Sequence, residues 1–358
     1  MSPLAQPRRV LIIKPSSLGD VVSALPVLRG LRRTFPQARV AWLVTPACAG
    51  ILAGQEGLDE IILFDRRRFG AVGRSARVSR EFVHFCRDLR RRRFELVLDL
   101  QGLFRSGFLA WTTGSAVRAG FARARELAGV FYTHPVAVGA SHTIDRNIEL
   151  ARALGIDARP EDMVLSVPAE ARAAAESMLS AAGIRLGSYF LVVPGTRWRN
   201  KLYPVRHWRA VVAALSAEAA VVVVGAPGEE RLCQAVVAGC EEGVLNLAGR
   251  TDLPALAALI AAAGCVVCCD SAANFIAPAV GTPFVTLMGP TRPERTGPYG
   301  PLGRALRAEL ACIGCLRRRC RHATCMQLIR PMDVVAAARE AFTGRDRPAR
   351  SAGAGRPV

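Results

Sequence analysis

Two lysines stand among 46 arginines in this chain, Lys14 and Lys201. A chain so rich in Ala and Arg has exchanged Lys for Arg wherever either serves. A compact ammonium and a planar guanidinium are not interchangeable at a tight anionic site, so the places of the two lysines carry information. Lys14 opens the segment Lys14-Pro-Ser-Ser-Leu-Gly-Asp20. Asp20 follows a glycine turn at the start of a helical pattern. Such an Asp either caps the helix or works in a cleft as a general base. Lys201 closes Pro194-Gly-Thr196-Arg-Trp-Arg-Asn-Lys201. The Thr196 hydroxyl, backbone N–H groups and the Lys201 ammonium suit a pyrophosphate; the same composition also makes a solvated basic loop. A third cluster is Cys269-Asp270-Ser271-Ala272-Ala273-Asn274-Phe275. A helix starting near Ser271 offers N–H groups to an anion, or Asp270 or Ser271 simply caps it. In Gly225-Ala-Pro-Gly-Glu229-Glu230, two acids after a strand either hold ribose hydroxyls or compensate a helix dipole.

Each cluster follows a short apolar run. Residues 10–13, 40–44, 61–64 and 96–99 read as buried strands, and so do 189–193, 221–224, 265–268 and 284–287. Helical patterns lie between them: one through Leu25, Leu28 and Leu31, a basic one at 75–93, and an Ala-rich one at 169–182. Strands alternating with helices imply α/β architecture, with parallel sheets joined by right-handed crossovers. The stretch 253–288 is apolar enough to suggest a membrane span, but Gly264, Asp270, Asn274, Pro278, Gly281 and Pro283 break it into helix, strand, helix and strand. The pattern restarts once, with a boundary at 165–185. Residues 1–168 form one expected domain and 185–332 the second. A helix at 333–343 follows, then a disordered Arg/Gly/Pro/Ala tail at 344–358. In open parallel sheets, ligands bind beyond the carboxyl ends of the strands.

The 358 residues are 51% hydrophobic and 22% charged, which excludes a disordered chain. A net charge of +19 calls for anionic company. The arginines gather in the first half: Arg66–Arg68, Arg74, Arg77, Arg80, Arg90–Arg93 and Arg105. They show no interleaved aromatics and no nucleic-acid-binding signature, so nucleic acid is not the expected partner. Neither G-x-G-x-x-G after a first strand nor G-x-x-x-x-G-K-[ST] occurs, which disfavours nicotinamide enzymes and P-loop NTPases. Eleven cysteines, an odd number placed largely in apolar runs, read as reduced core thiols of a cytoplasmic protein. The five-residue apolar run after Arg9 is too short for a signal peptide.

Four pieces occur in a fixed order: Lys14-x-Ser-Ser-Leu-Gly-Asp20, then Asp99-x-Gln101-Gly102, then Thr196…Lys201 with His207-Trp208. The last is Asp270-Ser271…Gly281-Thr282-Pro283…Gly289-Pro290-Thr291. Together, over residues 8–340, they resemble glycosyltransferase family 9, the ADP-heptose:lipopolysaccharide heptosyltransferases. The resemblance implies a GT-B architecture, two Rossmann-like parallel-sheet domains facing across a cleft. The N-terminal domain takes the acceptor and the C-terminal domain the nucleotide-sugar. It implies an inverting, metal-independent transfer of heptose from ADP-heptose to a Kdo/lipid A-type lipopolysaccharide core acceptor, with no cofactor. Asp20 matches the catalytic base. Thr196, Lys201, Glu229 or Glu230, Asp270, Ser271 and Ala272 match the donor site. Lys14, Ser17, Gln101, Arg66, Arg67 and Arg105 fall on the acceptor side. The anionic glycolipid would bring the enzyme to the inner face of the cytoplasmic membrane, where basic residues hold it peripherally. Two positions depart from the family pattern. Ala272 stands for the usual Gly, narrowing the backbone's approach to phosphate. Phe275 stands for the usual His, removing a polar group. Two other readings stay open: a family-9 transferase with another nucleotide-sugar, and a nucleotide-sugar-binding paralogue without catalysis.

Cys312-x2-Cys315-x4-Cys320-x4-Cys325 is the one local cysteine array. Four thiolates suit tetrahedral zinc, and neighbouring arginines favour thiolate, but one C-x2-C is only half the standard spacing, so a structural zinc is the weaker reading. A loop of reduced cysteines, with no metal, is the stronger.

Overall fold

The computed structural model describes residues 6–240 and 242–343. The tail expected at 344–358 lies outside them. The chain divides into two compact units that meet at Arg172 and Ala173, apart from two short pieces near 252–257 and 294–296 that group with the first.

The first unit holds a six-stranded parallel sheet: β1 (Arg9–Ile13), β2 (Arg39–Val44), β3 (Glu60–Leu63), β4 (Leu96–Asp99), β5 (Val117–Phe121) and β6 (His134–Val136). Their order is β3-β2-β1-β4-β5-β6. The second unit repeats it with β7 (Tyr189–Val193), β8 (Ala220–Val223), β9 (Val244–Asn246), β10 (Cys265–Cys269), β11 (Phe284–Leu287) and β12 (Gly303–Leu306), ordered β12-β11-β10-β7-β8-β9. All neighbours run parallel. This is the Rossmann order in both units, and the direction of chain progression reverses between β1 and β4 and between β7 and β10. Such switch points open a crevice at the carboxyl ends of the strands.

The central strands are apolar throughout because helices cover both their faces. Tyr189–Val193 and Cys265–Cys269 are wholly buried. Leu11, Ile13, Leu43, Val97 and Leu109 anchor the first core, and Val192, Trp208, Val223, Val267 and Val285 the second. The thiols of Cys268 and Cys269 are free, and burial pushes both up to about 12. The stretch read as helix, strand, helix and strand forms those four elements, Leu253–Ala262, β10, Ala273–Ala279 and β11. Among the described residues no helix is long and apolar enough to cross a membrane. The basic helix runs Ala76–Arg91, with the Ser75 hydroxyl accepting from the Val78 N–H. It does contain aromatics: Phe82 and Phe85 pack with Phe64 and Phe69 against the core. The expectation of arginines without aromatic neighbours does not hold.

Candidate active site

At the first switch point, the chain leaves β1 as Lys14 and leaves β4 as Leu100. Lys14 is buried and its Nζ donates to the Leu100 carbonyl at 2.5 Å. Burial pulls its pKa down, against the pull of Asp20 and Asp99. Asp99, wholly buried, accepts the N–H groups of Gln101 and Gly102 on Oδ1 at 2.9 and 3.1 Å and the Tyr132 hydroxyl on Oδ2 at 2.6 Å. Burial still raises its pKa. Asp20 lies in the first turn of the helix Leu18–Val22. Its Oδ2 accepts the backbone N–H and the hydroxyl of Ser17, at 2.9 and 2.7 Å. The carboxylate is thereby held at the strand end, half-buried, by the residue that starts the helix. The capping reading of Asp20 is met: the acid reaches back over its own turn to Ser17.

Gln101 brings a buried Oε1 with no partner to the same strand ends. Arg66 and Arg67 lie beyond β3, two strands from β1. There Asp65 Oδ1 accepts the N–H groups of Arg67 and Arg68 at 3.0 Å each. Arg105 is exposed on the helix Phe104–Thr112 that follows β4. Lys14, Ser17, Asp20 and Gln101 thus gather around β1 and β4, and the three arginines stand further out along the same sheet edge.

At the second switch point, Lys201 Nζ donates to the Asp270 carbonyl and pairs with Asp270 Oδ2, both at 3.0 Å. The Thr196 hydroxyl donates to that carbonyl as well, at 3.0 Å. Three residues from two strand ends therefore meet at Asp270. Glu229 joins them from the loop after β8: a Cβ on Gly195 would lie 2.2 Å from its Oε2. Only glycine after Pro194 leaves room for that carboxylate, which also accepts the Ala226 N–H at 2.9 Å. Glu230 turns outward, is exposed, and accepts the Gly228 N–H at 2.8 Å; backbone N–H groups hold its pKa low. The Ser271 and Thr291 hydroxyls and the Asn200 Oδ1 are buried with no partner. Buried polar groups are nearly always paired, so these three atoms mark where a polar ligand is expected. Ala272 precedes the helix Ala273–Ala279, and Phe275 is 7% exposed, packed inward. Thr282 is structural: its hydroxyl donates to the Ile260 carbonyl at 2.8 Å. Trp208 is buried in the core, its ring edge-on to Tyr203.

The sequence reading missed what backs this cluster. The Cys312–Cys325 segment docks on it: Gly314 N–H to the Gly289 carbonyl at 3.0 Å and Leu316 N–H to the Pro290 carbonyl at 2.7 Å. The Asn200 side-chain amide donates to the Arg317 carbonyl. The Arg318 guanidinium lies 5.2 Å from the Trp198 ring centre and the Lys201 ammonium 4.8 Å. The zinc alternative finds no support. Among the described residues no group of three or more His, Cys, Asp or Glu is placed to hold a metal ion. Cys325 is turned against Gly289, Cys320 Sγ accepts the Ala323 N–H at 3.4 Å, and Cys312 and Cys315 face solvent. The segment is held to the site by its backbone and arginines instead.

The family model for glycosyltransferase family 9 (heptosyltransferase) matches residues 82–325. The chain belongs to glycosyltransferase family 9. It is a glycosyltransferase, and its two Rossmann sheets are the pair from which a GT-B enzyme is built. Among similar family-9 proteins is lipopolysaccharide heptosyltransferase 1 of Pseudomonas aeruginosa, 30% identical over 319 residues, which covers 87% of each chain. The structure of E. coli heptosyltransferase WaaC with ADP-2-deoxy-2-fluoro heptose superposes with TM-score 0.73 at 25% identity, covering 93% of this chain and 99% of that one. A family-9 glycosyl transferase from Veillonella parvula shares the fold, with TM-score 0.78 at 20% identity over 94% and 97% of the two chains.

Proposed function

We propose that this chain moves a heptose from ADP-heptose to an anionic glycolipid acceptor of the Kdo/lipid A type in lipopolysaccharide core assembly. The observation that carries the reading is the second switch point. There Thr196, Lys201 and Asp270 are tied together beside two buried hydroxyls, Ser271 and Thr291, that have no partner. A diphosphate supplies acceptors for such hydroxyls, and Lys201 supplies the countercharge. Glu229, held over Gly195, is the acid placed for ribose hydroxyls, with Glu230 behind it. The heptosyltransferase solved with an ADP-heptose analogue supports the choice of donor.

In the proposed reaction, Asp20 takes the proton of the acceptor hydroxyl, and the oxygen attacks the anomeric carbon. The bond from that carbon to the diphosphate oxygen breaks, ADP leaves, and the configuration inverts. Lys201, Thr196, Ser271 and the backbone after Asp270 stabilise the charge that builds on ADP, a task that needs no metal ion here. On the acceptor side, Ser17 keeps Asp20 in place, and Gln101, Arg66, Arg67 and Arg105 meet the carboxylates and phosphates of the glycolipid. Lys14 contributes its charge from beneath. An acceptor of this kind puts the enzyme at the inner face of the cytoplasmic membrane.

A thermal-shift panel of ADP-, UDP-, GDP- and dTDP-sugars tests the donor. A ligand at 100 times its Kd stabilises by about 2.7 kcal/mol. ADP-heptose is expected to raise the melting temperature while UDP-, GDP- and dTDP-sugars leave it unchanged, with or without EDTA. Stabilisation by another nucleotide-sugar in its place would overturn the donor assignment.

A further inference from the structure

The helix Phe104–Thr112 and the turn Ala128–Phe131 present an apolar face to solvent. Leu127 is 76% exposed and Val130 73%, more than any other large hydrophobic residue described. Trp111 and Phe104 are 53% and 49% exposed, and their rings meet Phe131, the residue after Val130. The face is continuous: the Phe131 ring lies 5.2 Å from Phe104, 6.0 Å from Phe108 and 6.5 Å from Trp111, centre to centre. It is also built firmly. A Cβ on Gly107 would lie 2.9 Å from the Ala128 carbonyl and from the Phe131 ring, so glycine alone lets the turn seat on the helix. Arg118 Nε holds the Phe131 carbonyl at 2.9 Å. Glu126 and Leu127 have φ of +54° and +59°, a region costly for a leucine. The backbone accepts that cost while holding an apolar side chain out in water. Single exposed hydrophobics are ordinary; a contiguous patch marks an interaction surface.

The charge around the patch selects its partner. Residues 66–131 carry fifteen arginines against five acids, which is +10 of the net +19. Arg105 is exposed on the helix of the face, and Arg123 in the chain that leads into its turn. A second copy of the same face would be repelled. Unpaired bases need open ring faces, whereas these rings meet edge to face, Phe104 and Phe108 at 76° and 84° to Phe131. Apolar tips, a tryptophan and a fringe of arginines suit the headgroup layer of an anionic bilayer.

We propose that this face inserts into anionic lipid bilayers, with Leu127 and Val130 deepest, Trp111 and Phe104 at headgroup level, and Arg105 and Arg123 on lipid phosphates. The inference deepens the reading of a membrane-held glycolipid acceptor. It is tested with the full chain and vesicles of phosphatidylglycerol and phosphatidylethanolamine, against phosphatidylcholine alone. The protein should float with the anionic vesicles, and brominated lipid should quench a fluorescence component that Trp111→Phe removes. The double variant Leu127→Asn/Val130→Asn should partition at least tenfold more weakly. It should melt no lower than wild type, because Asn tolerates the left-handed region, and it should bind ADP unchanged. Wild-type-like vesicle binding by the double variant, or no quenching of Trp111, would overturn the proposal. So would a wild-type dimer that the double variant abolishes, since the face would then belong to a second copy. Loss of heptose transfer with vesicle binding intact would instead count against the catalytic reading alone. Transfer to a lipid-free acceptor without vesicle binding would overturn this inference alone.

Discussion

Lys14 and Lys201 reach the same kind of atom from the same kind of place. Each leaves the first strand of its sheet and donates to the backbone carbonyl just beyond the fourth, Leu100 in one unit and Asp270 in the other. The surroundings then diverge. Lys14 meets a carbonyl alone, under burial that depresses its pKa, and the nearby carboxylate of Asp99 is engaged by two N–H groups and a tyrosine. Lys201 meets a carboxylate as well, beside buried hydroxyls with no partner. One topology thus makes a first crossing with Asp20 on its rim, where Lys14 has no carboxylate partner and the Gln101 Oε1 is left over, and a second where Lys201 is ion-paired and two hydroxyls are left over. A shared fold positions charge; the residue after the fourth strand, Leu100 or Asp270, decides whether the ammonium finds a carboxylate.

The comparison is broken or sharpened first at the base. Asp20→Asn should lower kcat by on the order of 10²–10⁴, the usual worth of a general base, with ADP affinity unchanged by calorimetry. Near-normal turnover would leave Asp20 as a helix cap only. Lys201→Ala should come next, weakening ADP binding by roughly 10- to 100-fold, the scale of a charge-assisted hydrogen bond. Lys201→Arg should recover part of that loss, since a guanidinium cannot reproduce a point charge. Full affinity in the Arg variant would show that the second crossing does not read its lysine.

Beneath Asp20, at the first crossing, the effects fall on stability. Tyr132→Phe strips one hydrogen bond from buried Asp99 and should cost about 1–3 kcal/mol in urea unfolding, while ADP affinity holds. The smallest effect should be a pH slope. Lys14 has a folded pKa below the ordinary 10.5. In that interval the unfolded chain binds more protons, so folding stability rises with pH. Wild type should therefore gain on Lys14→Met as alkaline pH approaches 10.5, by at most about 1.4 kcal/mol per pH unit. A difference independent of pH would mean that Lys14 is not held against its charge.

Strand ends were legible in the sequence because buried parallel strands are apolar runs cut short by Gly, Pro, Ser and Asp. Val10–Ile13 and Cys265–Cys268 could hardly be anything else. Both lysines could be found by composition alone. Partnerships across the sheet could not. Nothing near Tyr132 in the chain points to Asp99, thirty-three residues earlier, and Glu229 meets Gly195 only because β7 and β8 are neighbours. At the cysteine array, spacing says only which thiols could converge; among the described residues no three such groups are placed to hold a metal ion. Leu127 was invisible for a related reason: a leucine in a loop reads as core until its backbone is seen to turn it outward.

The central claim is that the two crossings serve one transfer, base at the first and donor at the second. Incubation of the protein with ADP-heptose and a Kdo-lipid A acceptor, in EDTA, measures it directly by mass spectrometry of the glycolipid and by released ADP. The expected result is an acceptor heavier by one heptose residue, formed with equimolar ADP by wild type and lost in Asp20→Asn. ADP-heptose bound by calorimetry with no heavier acceptor would contradict it and leave a nucleotide-sugar-binding protein without catalysis.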